Sequence, residues 1–74
     1  MIKPLTKAEL KQAGMHLRYL PTTDPVDGHD MTVVMVMVTV RDVCIAAVES
    51  ANKSLAERTA LKEARVYLAS GRAV

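Results

Sequence analysis

The sequence predicts an all-α fold of three helices, at about residues 7–19, 31–52 and 54–70, and three observations carry it. Thr6-Lys7-Ala8-Glu9 and Ser54-Leu55-Ala56-Glu57 both fit capping boxes. In that motif a hydroxyl accepts from a first-turn amide and the glutamate three residues on reaches back. Behind each box, apolar residues recur at helical spacing. Between them lies the longest apolar run, residues 31–48, which no glycine or proline divides.

In the first helix Leu10, Ala13, Gly14, Leu17 and Leu20 form the apolar stripe, with Lys7, Lys11 and Arg18 on another side. Gly14 costs about 1 kcal/mol in a helix interior, so it marks either a close approach or an early helix end. Pro21 forbids much beyond Tyr19. Residues 21–30 hold two prolines, a glycine and three aspartates, and read as a connecting loop with a turn at Asp27-Gly28.

The segment from Met31 to Val48 admits two readings. As a helix it starts at Asp30 and carries a narrow polar stripe of Thr32, Thr39, Asp42, Glu49 and Lys53, so it is buried on several sides. As a strand over 32–38 it has suitable Val and Thr content. It does not alternate, however, and would need cover on both faces. The helix is favoured because residues 41–51 read as helical, no turn residue separates the halves, and no second strand is evident. Only about ten residues precede Arg41-Asp42, half of what a membrane span requires, so no membrane insertion is expected. In the last helix Leu61, Ala64 and Leu68, flanked by Ala60 and Tyr67, form the apolar face, and Gly71 is the stop.

Composition limits the function. The chain has 74 residues, 50% of them hydrophobic and 24% charged, with no Trp or Phe. That is a single small globular domain, 1–74. Such a domain buries only about 60% of its unfolded surface and gains from self-association. The expected interface is a helical-hairpin homodimer built on Val33, Met35, Val36, Met37, Val40 and Cys44, since methionine adapts to irregular partner surfaces. Cys44 is the only cysteine. It acts as a small apolar group and points to a reducing, cytoplasmic setting.

Net charge is +2, but its distribution is uneven. Residues 19–40 hold Asp24, Asp27 and Asp30 without a base, whereas Arg58, Lys62, Arg65 and Arg72 share one face of the last helix. Like charges so placed repel, which an anionic partner would relieve; a solvated face is the plain alternative. His16, Asp24, Asp27, His29 and Asp30 are potential ligands, but their spacing fits no calcium or zinc motif, and turn and cap roles account for the aspartates. Neither a phosphate loop nor a nucleophile elbow is present. No metal, cofactor or catalysis is therefore expected.

If residues 32–38 are a strand, helices at 40–52 and 54–70 come after it. That order is similar to ribbon-helix-helix DNA-binding dimers, whose strands pair between subunits and enter the major groove. The resemblance spans residues 32–70 and implies a dimeric nucleic-acid-binding regulator. In that family alternate strand side chains are polar; here Val33 to Val38 offer no donor or acceptor to a base. The expected function is a small non-catalytic intracellular protein, an adaptor or inhibitor of the phage type. It would modulate a larger, acidic-surfaced protein through a helical face. A nucleic-acid-binding regulator using the basic stripe is the second reading, and a structural subunit of an assembly the third.

Overall fold

A computed structural model of the chain describes residues 2–71, and its fold is α+β rather than all-α. The element order is α1 (Lys7–Gln12), β1 (Met15–Thr23), β2 (Asp30–Val38), β3 (Val43–Ser50) and α2 (Lys53–Ala69). The strands form an antiparallel meander in the order β1-β2-β3. Helix α2 lies across β2 and β3 while α1 lies against β1. None of the described helices is long and apolar enough to cross a membrane.

The first predicted helix is half helix and half strand. Thr6 and Glu9 form the expected capping box, but α1 stops at Gln12 and Gly14 takes a φ of 77°. Only glycine enters that left-handed region without cost, so the chain turns there into β1. Positions 10, 13, 17 and 20 fit a helical stripe, yet from Met15 onward the period is two. Met15, Leu17 and Tyr19 share one face and His16, Arg18 and Leu20 the other.

The second predicted helix, 31–52, is two strands joined by the turn 39–42. Its β-branched content decides the outcome, because β2 finds partners on both sides, 15–23 and 43–50. The alternative reading is right about strand 32–38 and wrong about the helix at 40–52, since β3 occupies most of that stretch. Strand pairing is within the chain, not between subunits. Asp42, at φ 53°, makes the turn, with its N–H bonded to the Val38 carbonyl at 2.8 Å. A bulge at Val36/Met37 shifts the register of β3.

The connector is also shorter than ten residues, because 21–23 and 30 lie in strands. Asp24 Oδ1 accepts from the Val26 N–H at 2.8 Å and Gly28 takes φ 75°, which closes a hairpin.

The third helix stands where it was predicted, with its cap moved. Asn52, not Ser54, is the N-cap and accepts from the Leu55 N–H at 3.1 Å, which releases Glu57 from a capping role. Ala56, Ala60, Leu61 and Ala64 are buried against Val34, Val36, Val38 and Ala46 of the sheet, with Leu5, Leu10 and Met15 completing the core. Alanines along the buried face let α2 approach the sheet closely.

Candidate functional site

The helix side of β1 carries an open groove of about 640 Å³ between α1 and the β2–β3 turn. Leu10 forms one wall and Met15, Leu17 and Tyr19 the floor, while Lys7 and Lys11 stand on the rim. The lining is overwhelmingly apolar. Gly14 shapes its end by carrying the chain from α1 into β1. There the Gly14 carbonyl accepts from the Thr39 N–H at 2.9 Å, and His16 Nδ1 lies 2.9 Å from Thr39 Oγ1.

The backbone along this groove is an unpaired strand edge. Gly14 bonds to Thr39 at one end of β1 and the Asp24 N–H to the His29 carbonyl at the other. Antiparallel ladders alternate, so the even-numbered residues direct their peptide groups to β2. Met15, Leu17 and Tyr19 direct theirs outward, and among the described residues no strand pairs with that edge. Pro21 is tolerated for the same reason: its missing N–H falls on the outer side. It also ends the run of available donors.

A polar cluster fixes the far wall. Tyr19 Oη donates to Glu57 Oε2 at 2.9 Å, Lys7 Nζ lies 3.4 Å from Glu57 Oε1, and Lys53 Nζ sits 4.7 Å from the centre of the Tyr19 ring. The Tyr19 hydrogen bond, then the Lys7 contact, hold the Glu57 carboxyl below the usual glutamate range against the opposing effect of burial. Burial and the neighbouring Glu57 push the Tyr19 phenol up. These contacts set the Tyr19 ring beside Glu57 and Lys53 of α2.

The predicted basic stripe is dispersed in role. Arg65 is committed to holding the chain together: its Nε donates to the Lys3 carbonyl at 2.6 Å and its guanidinium lies 3.5 Å from Glu9. Arg58 is exposed and borders a small cleft with Pro4 and Leu61, Lys62 is half-buried, and Arg72 lies outside the described residues.

The six predicted self-association residues divide: Val33, Met35, Met37 and Cys44 share one face of the sheet, while Val36 and Val40 do not. Val36 is fully buried in the core under α2. Val33, Met35 and Met37 alternate with it onto the opposite face. Val40 is 91% exposed in the turn, and Cys44 is an exposed free thiol on β3. Among the described residues no group of three or more His, Cys, Asp or Glu could hold a metal ion.

Sequence reasoning missed the groove because the residues of β1 also satisfy a helical stripe. The signal that was present is the alternation His16-Leu17-Arg18-Tyr19 directly after a glycine. Compared with family models, curated proteins and solved structures, the chain matches none.

Proposed function

We propose that this chain is a small, non-catalytic intracellular binding protein that modulates a larger protein. The contact is an extended segment of that protein, laid along β1 as an added strand. The observation that carries this reading is the coincidence of an unpaired strand edge with an apolar groove beside it. In this mode main-chain hydrogen bonds supply affinity and pockets for alternate side chains supply selectivity. The outward peptide groups of Met15, Leu17 and Tyr19 take the first role. The space over Leu10, Met15 and Leu17 takes the second. Lys11, at the rim, favours an acidic residue next to the apolar one. The free thiol of Cys44 supports a reducing compartment.

Selection from a display library of random linear peptides tests the proposal. Enriched sequences are expected to carry apolar residues at every second position with an acidic neighbour. Their binding should move the amide resonances of Met15, Leu17 and Tyr19 first. Lys11→Glu should weaken such peptides about fivefold without altering the fold. Failure to enrich any peptide, or shifts centred on α2 instead, would overturn the reading.

A further inference from the structure

The face of the sheet turned away from both helices is apolar along its centre and carries one charge on each of its two opposite edges. Along β2 it presents half-buried Met31, Val33 and Met35, with exposed Leu20 on β1 and Ala47 on β3 beside them, while Met37 at its end is buried. Leu20 is 52% exposed. Neither helix covers this face, since α1 and α2 both pack on the other side. A central strand that is apolar on both faces belongs in a sheet covered on both faces.

The charges decide what the cover is. Arg18 stands on β1 in the row Arg18-Met35-Ala47, and Glu49 stands on β3 in the adjoining row Leu20-Val33-Glu49. Strands lie about 4.8 Å apart, so the two outer strands are roughly 10 Å apart, and the two-residue stagger adds about 7 Å. Among the described residues neither side chain has an ion-pair partner. One copy therefore offers a cation on one edge of the apolar strip and an anion on the other.

We infer that a second copy of this chain covers the open face, related by a two-fold axis running parallel to β2. That axis lays β1 of each copy over β3 of the other. Each Arg18 then shares a rim with the partner's Glu49, one row along it and within the reach of two long side chains, twice by symmetry, and the Met and Val rows close on each other. Isologous contacts require a self-complementary patch, and this arrangement of charge is one. An in-plane axis perpendicular to β2 instead lays β1 on β1 and sets Arg18 against the partner's Arg18. Sheets packed face to face stay nearly aligned at about 10 Å separation, so the outer edge of β1 and its groove remain open in the dimer.

Sedimentation equilibrium from about 1 to about 200 μM, a range suited to a modest interface, tests the assignment on the wild type, Arg18→Glu, Glu49→Arg and the double exchange. Both positions are exposed, and circular dichroism checks that each variant is folded. The wild type should form dimers, each single reversal should weaken them tenfold or more, and the double exchange should restore them. A wild type that stays monomeric throughout overturns the inference and leaves the face to a foreign protein. Single reversals without effect, or a double exchange that fails to restore association, overturn the axis and with it the pairing of Arg18 with Glu49. Peptide binding at the β1 groove is read separately, in the same variants, and either result can stand without the other.

Discussion

Glu57 joins three elements through one carboxylate, reached by Tyr19 from β1, Lys7 from α1 and its own position on α2. Because its folded pKa is lowered, its contribution to stability is present above the ordinary glutamate range and is lost as pH falls through the lower, folded value. Glu9 acts in the same direction, lowered first by the Thr6 backbone N–H, then by the Thr6 hydroxyl and by Arg65. Tyr19 works at the other end: its raised phenol contributes below its ordinary pKa and loses that contribution as pH rises through the folded value. Urea melts across pH should therefore show stability falling on the acid side. Tyr19→Phe should make that acid-side slope shallower, since it removes the largest cause of the Glu57 shift, while Glu9 keeps part of it. An unchanged slope in Tyr19→Phe would show that the hydrogen bond does not hold Glu57 in solution.

The helix–sheet contact rests on small residues. Ala56, Ala60 and Ala64 are fully buried over Val34 and Val36, so a larger side chain has no space to enter. Ala60→Leu should cost about 1–3 kcal/mol by overpacking, measured as a lower urea midpoint with an unchanged m-value. The same three alanines were legible from sequence as part of α2, whose extent is reproduced nearly to the residue, because a long capped stretch with a four-residue apolar repeat has one reading. The middle of the chain was not. At 10, 13, 17 and 20 the apolar positions satisfy a helix stripe, and alternation over 15–19 is too short to outweigh it. The run 31–40 showed no alternation because β2 is apolar on both faces, which removes the period-two signal. Helix against strand then turns on whether partners exist, and those partners, β1 and β3, were themselves hidden in predicted helices. Arg58, Lys62 and Arg65 all lie on α2, yet Arg65 is turned inward to the Lys3 carbonyl and Glu9, a long-range contact that spacing alone does not reveal.

At the scale of the whole molecule, one layer of helices covers one side of a three-stranded sheet. Methionines expected on an association surface do lie together, but on a sheet face and not on a helix. Thr39 to Asp42 and Asp24 to His29 make the two connections short, four and six residues between strands. Short connections lower the entropy lost on closing each hairpin, and every strand pairs only with its neighbour in sequence. The sheet is thus assembled from residues 15–50, and α2, which covers β2 and β3, comes after it in the chain. Without α2, Val34, Val36 and Val38 lose the alanines that bury them. One helix therefore separates this domain from a sheet apolar on both faces, so any opening that frees α2 uncovers a surface prone to aggregate.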